Sequence, residues 1–554
     1  MTSLLLGLRL SRWGILGFSL AAMISTFIQV VGFYQIAGHT PAERAAFGAS
    51  MTTLSTQFVA LFPAPLRPDT VEGYVQFRGF NPLAILFAVW ALASATGFAR
   101  GDEERGIVES ELAAGTTRPA LVAARAGAFT IAVVIASAAA GAGFGFGVES
   151  GGESVPARGL VEACALLAAV GLSCYALSLL VAQLASARAA TALAGALLLA
   201  LFLVNSLSRV ISSLSTWRWL SPFRYYELSQ PLPPGGYFDL RGFLVLLALA
   251  AVATAAAAAA FMRRDIGASL VRIPSPPHRP DFSASRMPFW RVPVLRGLYE
   301  RKLGLLGWGI AMAVLAWVFV ALTKTMVQVL LSIPTLVPYL SIFVHQRLYP
   351  AVLGYTWFDV AQLMFAAFAI TYVARWSSED TDGRLEMYLS TPQSRAAIVL
   401  ERMAVLIAGS LLVAAVSGVV LFNASHATGI DLDARHLVEA CLLLIPFALV
   451  FAGAGALLAA WNPRAAVGLL GAFAFASYLD NELAPIFKLP GWVQSLSAFK
   501  LVGTPLLNGV DGRSLALMLL LALAGLGSSI LVMQRRDVGA RQSLRKVAKH
   551  VFRR

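Results

Sequence analysis

The stretch ARGDEERGIVESELAAGTTRPALVAAR at positions 99–125 sets three carboxylates, Asp102, Glu103 and Glu104, between Arg100 and Arg105. Glu109 follows Gly106 by three residues, and Leu112 follows Glu109 by three more. A second stretch, ARWSSEDTDGRLEMYLSTPQSRAAIVLER at 374–402, repeats the order with Asp380, Gly383, Glu386 and Leu389. Glycine permits a turn, and the three-residue spacing predicts a short helix with Glu109 beside Leu112, or Glu386 beside Leu389, on one face. Gly115 and Pro392 end these helices. The chemistry available to such an array is recognition, with carboxylates offered to a soluble partner from an amphipathic helix lying along a membrane. A helix that only rested on headgroups would press its acids against an anionic surface that repels them.

The elements that must position these residues are membrane spans. The chain is 58% hydrophobic and 13% charged, with a mean hydropathy of +0.73, where a water-soluble protein carries about 25% charged residues. Apolar runs of roughly 20 residues, enough to cross a bilayer, predict an all-α polytopic membrane protein with twelve spans at 13–36, 82–99, 124–147, 160–185, 189–212, 241–262, 304–325, 357–375, 400–422, 437–461, 465–486 and 514–534. MTSLLLGLRLSRWGILGF reads as a short interfacial helix running into the first span, because Arg9 and Arg12 interrupt the apolar run and no small-residue cleavage pattern follows. The long segments 37–81 and 326–356 are expected on the outer face, carrying surface helices.

The net charge of +14 does not point to nucleic acid. Arg535, Arg536, Arg541, Arg545, Lys546, Lys549, Arg553 and Arg554 crowd the tail, and the connector from Arg263 to Lys302 is similarly basic. That is the distribution expected of loops facing anionic lipid on the inner side of a membrane. With an even number of spans, both termini are expected in the cytoplasm, in a bacterial cytoplasmic membrane.

IPSPPHRPD at 273–281 is Pro-rich and polar and reads as an extended linker. It divides the chain into a first half at 1–272, a linker at 273–290 and a second half at 291–554 with the basic tail. The halves are copies. LVEAC occurs at 160–164 and again 277 positions on, at 437–441, and at the same offset Gly106 meets Gly383, Glu109 meets Glu386, Arg118 meets Arg395 and Arg125 meets Arg402. Farther along the register slips: Arg188 meets Arg464, Phe223-Arg224 meets Phe499-Lys500, and MRRDIGAS at 262–269 meets MQRRDVGA at 533–540. Six spans per half give both halves one orientation, related by an axis along the membrane normal.

Polar residues within spans are default functional candidates. Asn205, Ser206, Ser208 and Arg209 lie toward the outer end of the fifth span, and Tyr478, Asp480, Asn481 and Glu482 toward that of the eleventh. With the aromatics Phe202, Phe473 and Phe475, they could line a route for an amphipathic substrate, Asn205, Ser206 and Tyr478 supplying polar contacts. Asp480 and Glu482 also fit helix ends reaching water or headgroups. Glu162 and Glu439 begin spans on the outer side, and Arg188 and Arg464 mark inner turns.

The pattern acidic–Gly-x-x-Glu-x-x-Leu–(Gly or Pro)–Arg after the second span resembles the permease subunits of the ABC-2 class of ABC exporters. The fused twelve-span form is similar to permeases that export polyketide antibiotics such as tetronasin. The resemblance takes in both copies of the motif, the six-span halves and the outer segment WLSPFRYYELSQPL at 219–232. It implies a type V exporter-like fold whose two inner helices couple to ATPase subunits. Glu103, Glu104, Gly106, Glu109, Leu112 and Arg118 would serve in the first copy, and Asp380, Gly383, Glu386, Leu389 and Arg395 in the second. The implied partners are two copies of a P-loop ABC ATPase, membrane lipids and a hydrophobic small-molecule substrate. The second copy has Thr381-Asp382 where the first has Glu104-Arg105, which bears on whether the two helices dock alike.

The chain holds no Gly-Lys dipeptide, so it cannot form a G-x-x-x-x-G-K-[ST] phosphate loop. The Ser-Gly-Gly at 150–152 reads as a turn in an outer loop. Cys164, Cys174 and Cys441 sit in apolar runs with no His or second Cys at ligand spacing, so no metal site and no cofactor is expected on this chain. ATP and magnesium belong on the partner. The competing readings are a proton-driven secondary transporter, an integral membrane glycosyl transferase, or an exporter of lipid or polymer. The acidic loop after the second span, the scarcity of acids in mid-span and the six unclustered His argue against the first two.

Overall fold

The computed structural model describes residues 2–38, 40–57, 63–154, 157–185, 187–209, 211–270, 292–332, 348–381, 383–486 and 490–536. Among these the chain is helical, with one isolated antiparallel bridge between Gln230 and Tyr237 and no strand. Its contacts divide it into two compact units, Met1–Arg279 and Pro280–Arg554. The linker expected at 273–290 and the basic tail beyond Arg536 lie outside the described residues.

In the first unit α1 (Thr2–Ile36) runs unbroken from the expected interfacial segment through the first span. α2 (Pro41–Gln57) is the surface helix expected after it. Thr40 and Glu43 start α2 reciprocally, the Glu43 amide donating to Thr40 Oγ1 at 3.2 Å and the Thr40 amide to Glu43 Oε2 at 2.9 Å, a capping box. α3 (Val71–Glu104) is one helical run containing π-helical stretches at Gln76–Phe80 and Gly97–Gly101. After the short α4 (Ile107–Ala113) come α5 (Arg118–Ser150), α6 (Ala157–Leu184), α7 (Ala187–Leu207), the six-residue α8 (Pro222–Glu227) and α9 (Leu240–Arg263).

The second unit opens with α10 (Pro293–Glu300) and α11 (Lys302–Ser332). α12 (Leu348–Thr381), the short α13 (Arg384–Leu389), α14 (Arg395–Thr428), α15 (Ala434–Trp461), α16 (Pro463–Ile486) and α17 (Gly512–Arg535) follow. Of the outer segment expected at 326–356, residues 326–332 continue α11 and 348–356 begin α12, and 333–347 lie outside the described residues.

A helix stands at each of the twelve expected spans, and among the described residues eleven are long and apolar enough to cross a membrane. The remaining one is α16, whose apolar run gives way to Asp480 and Asn481 in its last turns. The expected span at 189–212 ends sooner, at Leu207, and Arg209 instead reaches Glu227 at 2.5 Å. Other spans are longer than expected. At 34 residues and about 1.5 Å per residue, α3 exceeds a hydrocarbon layer of about 30 Å, which lets its last turn carry charge clear of the lipid.

The duplication is visible in three dimensions. α3 and α12 begin and end 277 positions apart, as do α6 and α15. Thr117 accepts from the Ala120 amide to cap α5, and Ser394 accepts from Ala397 to cap α14. Asp239 caps α9 through Arg241, and Asp511 caps α17 through Arg513 and Ser514. Hydrogen bonds from Ser514 hold the Asp511 carboxyl below the usual carboxylate range. At the start of α6 and α15, Arg158 reaches Glu162 and Arg435 reaches Glu439, each at 2.8 Å.

Each unit packs its first span on its third and its fourth on its sixth. In membranes such contacts rely on small residues that let backbones approach. Where α1 crosses α5, a Cβ on Gly143 would lie 2.0 Å from the Met23 carbonyl oxygen, and Thr26 Oγ1 donates across to Ala140 O at 2.7 Å. Where α15 crosses α17, Gly453 and Gly525 face one another in the same way. Each unit has a main apolar core, centred on residues such as Phe87, Phe144 and Leu167 in the first and Phe365, Phe447 and Phe451 in the second, and the second has a smaller separate cluster of Leu385, Ile398, Val399, Ala460 and Met533.

Candidate coupling site

The acidic stretches stand at the helix ends from which the third and ninth expected spans begin. Gly106 (φ +68) and Gly383 (φ +76) both adopt the left-handed conformation that starts α4 and α13, where a side chain would cost roughly 1–2 kcal/mol. Glu109, Ser110, Glu386, Met387 and Tyr388 are exposed. Val108 and Leu385, at matching positions, are buried and pin each helix to its unit. Leu112 and Leu389 are part-buried against the cores, so the outward faces hold the glutamates without these leucines. Glu104 is exposed.

Not every acid in the motif faces outward. Glu103 is buried between Arg264 and Arg100, accepting from Arg264 through both carboxylate oxygens and from Arg100 Nη1 at 3.1 Å. Arg100, itself buried, donates from Nε to Ala182 O at 2.8 Å, from Nη1 to Ala268 O at 2.9 Å and from Nη2 to Ala185 O. The carbonyl ends of α6 thus share the positive charge, as a helix C-terminus favours. Arg264 Nε donates to Gln183 Oε1 at 2.7 Å. Beside this group Arg125 Nη2 lies 2.5 Å from Glu111 Oε1 and 3.3 Å from Asp102 Oδ2, all three side chains buried. One Glu111 oxygen and Arg125 Nε have no partner among the described residues.

The second unit keeps two of these pairings and adds others nearer the surface, Arg296 with Glu401 at 2.9 Å and Arg375 with Glu379 at 3.4 Å. Arg536 pairs with Asp380 at 2.6 Å, and Arg402 with Glu379 at 2.8 Å. Arg118 and Arg395 do the same work in their units. Arg118 Nη1 donates to the carbonyls of Phe261, Met262 and Arg264, and Arg395 Nη1 to those of Met533, Gln534 and Arg536. Each arginine therefore caps the last carbonyls of its unit's sixth span, which would otherwise lack partners. Both arginines face their own unit, and in this structure they hold fold.

The structure therefore joins Glu103, Arg118, Asp380 and Arg395 to residues near 261–268 and 533–536. Sequence reading of the motif overlooked Arg264, Arg536, Gln183 and Glu111 as parts of the same assembly. The matching MRRDIGAS and MQRRDVGA segments were the available signal.

The residues considered for a substrate route divide by burial. Asn205 and Ser206 are buried, with Asn205 Nδ2 and Ser206 Oγ unpartnered among the described residues. Phe473 and Phe475 are exposed on α16. Phe202 meets Phe223 edge to face at 5.5 Å, and Tyr478 meets Phe499 in the same way at 5.4 Å, a contact repeated between the copies. The side chains of Arg188, Arg464 and Glu482 lie outside the described residues. No group of three or more metal-ligating side chains is present among the described residues.

Residues 2–227 match the family described as ABC-2 type transporter, and residues 298–532 match the family described as the C-terminal domain of the multidrug efflux system permease Rv1217c. No curated protein matches the chain. With an all-helical duplicated fold, eleven helices long and apolar enough to cross a membrane among the described residues and a transporter-family match in each half, the chain belongs to the ABC-2 class of ABC transporter permeases.

Proposed function

We propose that this permease moves hydrophobic or amphipathic compounds out across a bacterial cytoplasmic membrane by alternating access, driven by two copies of a separate P-loop ATPase. The observation that carries the reading is the doubled short helix. α4 and α13 each start from a left-handed glycine, bury one apolar residue and present a glutamate outward. Arginines at their bases tie them to the ends of the fourth and sixth spans of their own unit. Force applied to such a helix passes into the bundle. ATP and magnesium act on the partner. Both termini face the cytoplasm in this reading.

The multidrug-efflux match of the second half supports a drug-like cargo, and the likeness to tetronasin-type permeases suggests polyketide ionophores as the first compounds to try. Phe202, Phe473, Phe475 and Tyr478, with Asn205 and Ser206, are the residues proposed to contact it.

The test is co-expression with a candidate ABC ATPase followed by purification of the complex. ATP turnover is expected only in the complex and is stimulated by cargo, while the permease alone hydrolyses none. Export that survives a catalytically dead ATPase and collapses with a protonophore would overturn the reading in favour of a proton-driven transporter.

A further inference from the structure

We propose that the two coupling helices differ in stiffness: α4 is a rigid lever fixed to its unit, and α13 is a compliant one. The inference rests on the coupling reading above only for its consequence in transport; the difference in stiffness stands on this chain alone. Because α3 and α12, and α6 and α15, run in the same register, the two bases can be compared position by position. Three polar anchors of the first base have no equivalent in the second.

Arg100, with its five hydrogen bonds to Ala182, Gln183, Ala185, Ala268 and Glu103, corresponds to Ser377. Ser377 is buried, and its Oγ has no partner among the described residues. Gln183, which holds Arg264, corresponds to Ala460, which offers Arg536 only its carbonyl at 3.3 Å. Glu111, the one ion-paired residue on α4 itself, corresponds to Tyr388, which is 40% exposed.

Cavities lie where the anchors are missing. One of about 30 Å³ is lined by Trp376, Asp380, Ala459, Ala460 and Arg536, and so includes the position held in the first unit by Gln183. Another of about 50 Å³ is lined by Tyr388, Arg402, Glu379, Glu401 and Arg301, at the place of Glu111. Each has charged side chains on its wall and room for a water, since one water needs roughly 10–15 Å³ of such space. The first unit has a recess of its own, about 170 Å³ beside α1, that reaches Asp102 and Arg125 but leaves Glu103, Glu111 and Gln183 outside its lining. Its central clamp is closed. The paired cluster around Glu103 rigidifies what it holds, and segments with fewer buried contacts open locally at lower cost. The second helix is therefore the one that yields.

The experiment is hydrogen exchange on the purified full-length permease in lipid nanodiscs, with no ATPase present. Amides of Arg384–Leu389 are expected to exchange at least about tenfold faster than those of Ile107–Ala113. Glu111→Tyr should bring the first helix toward the rate of the second, and Tyr388→Glu should slow the second. Gln183→Ala, a milder change that leaves both arginines paired with Glu103, should raise exchange in residues 100–113 alone. Equal exchange in the two parent helices, or rates that ignore all three substitutions, would overturn the proposal. Either result would leave the coupling reading standing, because that reading is decided separately by ATPase association and turnover.

Discussion

Replacing Glu103 by alanine removes the one carboxylate that, among the described residues, pairs with both of two buried guanidinium groups. The Glu103 side chain is 4% exposed, and those of Arg100 and Arg264 are 5% and 1%. Removing one partner from a buried ion pair typically costs about 3–5 kcal/mol, because the charge left behind has lost both water and its counter-ion. The backbone carbonyls around Arg100 soften this loss without neutralising it. At the matching position in the second unit, Asp380 and Arg536 are 13% and 20% exposed, so water reaches the orphaned arginine. Asp380→Ala should therefore cost only about 1–2 kcal/mol. A natural reporter exists in each unit, since Cys174 and Cys441 are buried and free. Thermal unfolding of the solubilised protein, followed by reaction of these thiols with a fluorogenic maleimide, should show Glu103→Ala lowering the midpoint by about 6 °C or more. Asp380→Ala should lower it by a few degrees only, at roughly 2–4 °C per kcal/mol. A Glu103→Ala protein within about 0.5 kcal/mol of the parent, or no worse than Asp380→Ala, would refute the view that burial sets the strength of these clamps.

Glu109→Ala and Glu386→Ala remove exposed carboxylates, so stability should change by less than about 0.5 kcal/mol while ATPase association, read by co-purification, falls. Glu109→Ala should be the more damaging, and normal association and export in the double variant would show that these helices only rest on lipid. For topology, a cysteine at Ser110 should react with an impermeant thiol reagent only after the membrane is opened, and one at Thr56 should react from outside; the reverse pattern would invert the proposed orientation. Gly143→Ala should disrupt the crossing of α1 and α5 because its Cβ would collide with the Met23 carbonyl, whereas Gly145→Ala meets nothing within 4 Å and should be neutral. Comparable yields and melting curves for the two variants would contradict the close approach.

Much of this protein is legible in the order of its residues, for reasons that are local. Lipid demands long apolar helices with satisfied backbones, so composition alone places spans over Leu240–Arg263 or Ala434–Trp461 to within a few residues. Caps at Thr117 and Ser394 and the turns at Gly106 and Gly383 follow from residue type and spacing. The duplication is legible because the same words recur in register. Helix ends beyond the bilayer are less so. Once α3 leaves the hydrocarbon, hydropathy no longer limits it, and it runs to Glu104 rather than to 99.

Only the tertiary structure decides which charges are offered and which are consumed. Asp102, Glu103 and Glu104 are adjacent in sequence, yet the first two are buried in ion pairs and the third is exposed. Glu109 and Glu111 share one short helix, and only Glu109 faces out. The partners that make the difference lie far along the chain, Arg264 being 161 residues from Glu103 and Arg536 being 156 from Asp380. A carboxylate's role depends on whether an arginine can reach it before water does. That is settled by how the fourth and sixth spans pack against the second and third, a property of the folded bundle that no local pattern encodes.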